Sequence, residues 1–207
     1  MIKIKEFVKI NNLKINEENI ILENHVIIDC CGNYLTAGLI DRHIHGGFDC
    51  CFNEKQDYSE LSKGLLSHGI TSILPTVMTD SIENINNQIE YIKNLKDKFT
   101  PKILGIHLEG PFINPQHKGI HPEKFILKPT PENLYKIKNL DFVKLMTYAF
   151  ELDENLEFTK ELKKLGIIGS VGHSACDYNT AQVAVSNNIT QVTHLYNALK
   201  QPHHREP

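Results

Sequence analysis

Gly105-Ile106-His107-Leu108-Glu109-Gly110-Pro111-Phe112 is the stretch on which the fold turns. Read as a strand, Ile106 to Glu109 alternate between two faces, so His107 and Glu109 share one side while Ile106 and Leu108 turn toward packing helices. Glu109 follows four mostly apolar residues and precedes Gly-Pro, at the C-terminal end of the strand. A carboxylate in that position needs a partner, because a buried charge is costly unless it is paired or bound to a cation.

Outward from this strand the chain repeats one pattern. Apolar runs at 39–45, 70–77, 102–109, 142–149, 167–173 and 190–194 predict six strands. Helical segments lie between them. Asp57 with Glu60, and Asp80 with Glu83, have the spacing of an N-cap and its third-position acid, and Thr130-Pro131 places proline at a first helical position. Ile82, Ile85, Ile89, Ile92 and Leu95 step by three and four along one helix face. Strand and helix in alternation mean parallel β-structure with crossover helices. The expected fold is α/β, a (β/α)8 TIM-type barrel truncated after about strand 6, since a complete barrel takes about 250 residues. Residues 1–38 precede it. Their short β-prone runs (Ile2–Ile4, Ile20–Leu22, Val26–Ile28) between Asn-rich turns predict a small antiparallel sheet, so the expected domains are 1–38 and 39–207.

Composition narrows the function classes. Lys plus Arg is 22 and Asp plus Glu 25, a formal charge of −3 with no local basic run, so no nucleic-acid partner is expected. The sequence shows no apolar stretch near membrane-spanning length, and the polar start MIKIKEFVKINN does not read as a signal peptide. Five cysteines, with Cys30-Cys31 and Cys50-Cys51 adjacent, do not make a disulfide framework. No membrane association and a cytoplasmic location are the expectation.

Histidine is the unusual residue, with 11 copies. In Asp41-Arg42-His43-Ile44-His45 the strand period puts His43 and His45 on one face. His173 ends the fifth predicted strand and His194 the sixth. Each of these has a bland reading as a hydrogen-bonded structural histidine. Five such residues on four strand ends, Glu109 included, converge on one mouth if the strands form a barrel. Imidazole and carboxylate donors converging in this way suit a divalent ion, Zn²⁺ first, with Fe²⁺, Co²⁺ or Mn²⁺ as alternatives. His107 is expected either just behind the metal ligands or in the barrel interior, since Glu109 fills the ligand role on that strand. His25, His68 and His117 are expected at the surface or in loops, and Lys160 to Lys164 on a solvated helix face.

The stretch from Gly105 to Phe112, then Lys118-Gly119-Ile120-His121, Gly172-His173-Ser174, Thr193-His194-Leu195-Tyr196-Asn197-Ala198 and His203-His204-Arg205-Glu206-Pro207, resembles the N-acetylglucosamine-6-phosphate deacetylases of the amidohydrolase superfamily. The resemblance runs from about Leu39 to the last residue; it implies that 39–207 is part of a metal-dependent hydrolase barrel and that the strands of 1–38 are the N-terminal part of the family's small β-sandwich. It implies that Glu109, His173 and His194 hold the main metal ion and that His43 and His45 match the pair found in members with a second ion. It also implies substrate contacts at Ile120, His121, Asn197 and Ala198, and a grip on the sugar phosphate by Arg205. The implied reaction is hydrolysis of the acetamide of N-acetylglucosamine 6-phosphate to glucosamine 6-phosphate and acetate. One or two divalent ions serve as cofactor, and the full-length family is expected to form homo-oligomers. The family's catalytic Asp has no counterpart in residues 1–207, so the chain alone is expected not to turn over substrate at the family's rate. Two other readings stand beside this one. One is another amidohydrolase, such as a dihydroorotase or a deaminase. The other is a non-catalytic partial barrel that binds metal or sugar phosphate.

Overall fold

The computed structural model describes residues 36–201 and 203–205, together with the backbone of two short strands, Lys3–Ile4 and Ile27–Ile28. The chain divides into two units, residues 1–39 and 40–207. In the first, Lys3–Ile4 pairs with Ile27–Ile28 in parallel. That corrects the antiparallel arrangement expected there, and the long segment between the two strands gives room for the crossover a parallel pair requires. The Ile20–Leu22 run, and with it most of the expected β-sandwich contribution, lies outside the described residues.

From Leu39 onward strand and helix alternate as the sequence predicts. The strands are β1 (Leu39–Ile44), β2 (Ile70–Met78), β3 (Ile106–Glu109), β4 (Val143–Tyr148), β5 (Ile168–Val171) and β6 (Gln191–Val192). They are neighbours in chain order, and the pairs from β2 to β6 are all parallel. This is the strand order of a TIM-type barrel wall. The run at 102–109 is not one strand. Lys102–Ile103 pairs separately with β2, and the break falls at Gly105, where φ is +152°. A Cβ there would lie 2.4 Å from Lys144 Cγ and 2.7 Å from the Phe142 carbonyl oxygen, so only glycine passes.

The crossover helices are α1 (Ser59–Ser67), α2 (Ile82–Leu95), α3 (Pro131–Leu134), α4 (Glu157–Leu165) and α5 (Tyr178–Ser186). Thr130 caps α3 as expected, its hydroxyl accepting from the Asn133 N–H. The expected caps Asp57 and Asp80 are each displaced by one position. Ser81 caps α2 by accepting from the Asn84 N–H, and Asp80 instead takes the Ser81 N–H and the Asn84 amide. Tyr58 occupies the N-cap of α1, while Asp57 accepts from the N–H and hydroxyl of Ser59. At α1 Tyr58 makes no side-chain cap and Asp57 still takes a first-turn N–H; at α2 two neighbouring residues compete to cap, and spacing alone does not choose between them. The apolar stripe of α2 is buried at Ile85, Ile89 and Ile92, and each such side chain contributes roughly 1.5–3 kcal/mol relative to exposure. Lys160, Lys163 and Lys164 face solvent, as expected. No described helix is long and apolar enough to cross a membrane. Cys50, Cys51 and Cys176 are free thiols, and Cys30 and Cys31 lie outside the described residues.

A buried polar ladder ties the strands together. The Ile44 N–H donates to Thr76 Oγ1 at 3.0 Å, and Thr76 Oγ1 lies 3.3 Å from His107 Nδ1. His107 Nε2 is 2.7 Å from Thr147 Oγ1, which is 2.7 Å from Thr193 Oγ1, which is 2.8 Å from Ser170 Oγ. Every one of the six strands, or the residue just beyond it, supplies a member. His107 is thus interior, as expected, and burial lowers its pKa to about 3, keeping it neutral.

Gly172 sits where this ladder leaves no room, between β5 and His173. A Cβ on it would lie 2.5 Å from Thr147 Cγ2 and 2.8 Å from Thr193 Cβ. Both threonines are fixed by their hydroxyl bonds, so neither side chain turns away without losing one. Gly172→Ala is expected to destabilise the fold by about 1–3 kcal/mol. Urea unfolding reads this as a lower midpoint at unchanged slope.

Candidate metal centre

Glu109 ends β3 with only 2 % of its surface exposed. Four imidazoles surround its carboxylate. His194 Nε2 and His173 Nε2 lie 2.9 and 3.2 Å from Oε1, and His43 Nε2 lies 3.5 Å from the same oxygen. His45 Nε2 is 3.0 Å from Oε2. These atoms form two overlapping groups, His43–His45–Glu109 and Glu109–His173–His194. Within each group all ligand atoms lie within 4.8 Å of one another. The period-2 geometry of β1 brings His43 and His45 side by side, with their Nε2 atoms 3.0 Å apart. His173 and His194 meet from β5 and β6, at 3.2 Å.

The hydrogen bonds behind the rings decide what the front atoms offer. His173 Nδ1–H donates to the His117 carbonyl at 2.8 Å, and His194 Nδ1–H donates to the Asn197 carbonyl at 2.9 Å. A carbonyl only accepts, so in each neutral ring Nε2 carries the lone pair. Two lone pairs and a carboxylate oxygen therefore face one another across about 3 Å, which a cation resolves. This donor set suits a divalent metal, with the second nitrogen of each ring held by a backbone acceptor. His45 Nδ1, by contrast, is buried without a hydrogen-bond partner.

Where no cation sits between them, protons on the imidazole Nε2 atoms serve the carboxylate in its place. Burial raises the Glu109 carboxyl, and hydrogen bonds from His173, His194, His43 and His45 outweigh it, holding the group well below the usual carboxylate range. The Glu109 carboxylate in turn raises His194. His173 and His194 both adopt the left-handed region, with φ of +49° and +34°. For residues other than glycine such backbones cost about 1 kcal/mol or more and mark functional constraint.

The candidate substrate residues are placed unevenly. His121 is buried at the cluster, its Nδ1 2.7 Å from Thr79 Oγ1 and its Nε2 3.7 Å from Glu109 Oε2. Burial lowers it to about 4. Asn197 and Ala198 lie on the loop after β6, and their carbonyls accept from His194 and from the Ser174 N–H. Ile120 is 85 % exposed, and Arg205 is exposed with its N–H on His203 Nδ1. None of these five residues lines the cavity of about 560 Å³ between α5 and the segment after β6, whose walls include Tyr178, Leu195 and Tyr196.

Sequence reasoning missed the residues behind the cluster: Thr79, Asn114, the His117 carbonyl and Glu151. Glu151 carried a readable signal, an acid just beyond an apolar strand, the same pattern that singles out Glu109.

An amidohydrolase family profile matches residues 34–204. The chain belongs to the amidohydrolase family, the class that its barrel strands and histidine–carboxylate cluster define. Among its curated relatives is the N-acetylglucosamine-6-phosphate deacetylase of Bos taurus, 36% identical over 189 residues, covering 86% of this chain and 46% of the relative. The solved deacetylase of Thermotoga maritima superposes with a TM-score of 0.73 at 34% identity, covering 84% of this chain and 47% of that one. A Mycobacterium smegmatis deacetylase variant, solved in complex with N-acetyl-D-glucosamine-6-phosphate, gives a TM-score of 0.78 at 25% identity over 90% of this chain and 49% of that one. The chain thus spans about half the length of the relatives it matches.

Glu109 is common to both ligand groups, so Glu109→Gln is expected to remove most bound metal. His43→Asn with His45→Asn is expected to remove one ion and leave the other. Elemental analysis of the purified proteins checks both, and unchanged stoichiometry in the double variant would refute the second site.

Proposed function

We propose that this chain provides the metal centre and part of the substrate site for deacetylation of N-acetylglucosamine 6-phosphate. The observation that carries the reading is the Glu109 carboxylate enclosed by four imidazoles, in a chain 36% identical to a deacetylase of that substrate. Glu109, His173 and His194 would hold the main ion, with His43, His45 and Glu109 holding a second; Zn²⁺ suits this N/O donor set. A divalent ion bound there supplies an acidified water at neutral pH and polarises the acetyl carbonyl.

The protein's own groups do the rest. Glu109 brings the negative charge that makes the buried site attractive to a cation. The His117 and Asn197 carbonyls keep His173 and His194 in the tautomer that directs Nε2 inward. His121, kept neutral by burial, serves as a hydrogen-bonding group for a sugar hydroxyl rather than as a cation. Ile120, Asn197 and Ala198 are assigned to the sugar. The planar guanidinium of Arg205 suits a phosphate through paired hydrogen bonds. Proton delivery to the departing amine needs a positioned acid–base group, a role we assign to no residue of 1–207. A charged sugar phosphate does not cross a lipid bilayer readily, so the proposed place of action is the cytoplasm.

Calorimetry of the Zn²⁺-loaded chain with N-acetylglucosamine 6-phosphate, alongside measurement of acetate release, tests this reading. Metal-dependent binding is expected, and a metal-loaded chain that binds no phosphosugar would overturn it. Acetate release at an ordinary turnover of about 1 s⁻¹ or more would mean that a residue of 1–207 supplies the proton after all. Arg205→Ala is expected to weaken the phosphosugar by about 2–4 kcal/mol, through loss of a charge-assisted pair, and to leave N-acetylglucosamine almost unaffected. Equal losses on the two sugars would remove Arg205 from the phosphate site.

A further inference from the structure

Glu151 lies just beyond β4, between the strands that carry Glu109 (β3) and His173 (β5), and its carboxylate reaches the loops of both. Oε1 accepts from Asn114 Nδ2 at 2.9 Å and from the Ala175 N–H at 2.6 Å. Oε2 accepts from the Ser174 hydroxyl. All three donors are neutral groups on the two loops. A half-buried carboxylate spent on three neutral donors is an unusual use of charge, and what those donors hold explains it.

Asn114 begins the turn that presents His117. Its side-chain oxygen accepts from the Gln116 N–H, its carbonyl from the His117 N–H, and its own N–H donates to the His173 carbonyl at 2.9 Å. That turn sets the His117 carbonyl on His173 Nδ1. On the other side, the Ser174 N–H donates to the Ala198 carbonyl and the Lys200 N–H to the Ser174 carbonyl, each at 3.2 Å. Ala198 follows Asn197, whose carbonyl fixes His194 Nδ1. One carboxylate therefore stands behind both acceptors that decide the tautomers of His173 and His194.

We propose that Glu151 is a positioning residue of the metal centre: it ties the loops after β3 and β5 so that the His117 and Asn197 carbonyls hold His173 and His194 with Nε2 free for metal. This rests on the reading of the cluster as a metal centre. It adds a residue that touches neither the ion nor the substrate. A clamp that only stiffened loops would lower thermal stability on removal while leaving metal affinity and ring tautomer unchanged.

Zn²⁺ titration by calorimetry, nitrogen NMR of the imidazoles in the metal-free protein, and the absorption spectrum of the Co²⁺-loaded protein separate the two. Glu151→Ala is expected to weaken Zn²⁺ by about 10–100-fold, as loss of a group that orients a ligand does, whereas Glu151→Gln, which keeps a hydrogen-bonding head, stays within about threefold. Glu151→Ala should also shift the nitrogen signals of His173 and His194 toward a mixture of tautomers and alter the Co²⁺ spectrum. If Glu151→Ala does not fold, Ser174→Ala, which removes one donor, carries the test with an expected loss of about threefold to tenfold. A wild-type chain that takes up no Zn²⁺ overturns the metal centre and the clamp with it. A wild-type chain that binds Zn²⁺, while the folded variant binds as tightly with unchanged tautomers, overturns the clamp alone.

Discussion

The Glu109 carboxylate, buried at the end of β3 with four imidazole nitrogens within 3.5 Å of it, is the constraint around which the strand ends are arranged. An ionised acid in that position would cost several kcal/mol if left alone. Its surroundings meet the cost in two layers. The inner layer is the set of Nε2 atoms, which answer the carboxylate with a proton or share a cation with it. The outer layer is backbone: carbonyls from the loops after β3 and β6 decide which nitrogen of His173 and His194 faces inward.

The fold makes this possible because parallel neighbours in chain order bring their C-terminal ends to one side. Glu109, His173 and His194 need no long-range threading to meet; each is the last residue, or nearly so, of its own strand. The left-handed backbones of His173 and His194 turn the chain sharply where the strand stops, directing each ring back over the strand ends. Such conformations persist only where the surroundings over-determine them. Here the Asn114 N–H on the His173 carbonyl and the Asn197 N–H on the His194 carbonyl contribute that restraint.

Much of this was legible in the sequence, for reasons that differ from residue to residue. The strands from 39 onward could be read because a parallel wall calls for apolar runs of a recognisable length, even at its edges, where Leu39, Ile40 and Val192 stay exposed. The pairing of His43 with His45 followed from period 2 alone. Gly105 was not legible as a strand break, since the clash it avoids comes from Lys144 and Phe142, distant in sequence. The caps at Asp57 and Asp80 slipped by one residue because Tyr58 and Ser81 stand beside them, and the geometry of chain entry, invisible in spacing, made the choice. The parallel pairing of Lys3–Ile4 with Ile27–Ile28 was hidden for a related reason: short β-prone runs carry no mark of direction. The outer layer of the site escaped notice because backbone carbonyls carry no residue identity. Asn114 and His117 matter through main-chain atoms that any sequence would supply, and only the folded turn reveals their use.

The buried ladder from Thr76 through His107 to Ser170 has a property that belongs to the whole and to none of its members. Each hydroxyl owns one proton, and a neutral imidazole donates from only one nitrogen. If Thr147 donates to His107 Nε2, then Thr193 must donate to Thr147 and Ser170 to Thr193, and His107 carries its proton on Nδ1. If His107 donates from Nε2 instead, one of the three hydroxyls accepts without donating inside the ladder, because each oxygen has two lone pairs. Leaving any of these bonds unmade would cost about 1–3 kcal/mol in a buried site. The tautomer of one histidine on the third strand thus sets how much orientational freedom the hydroxyls on the next three strands retain.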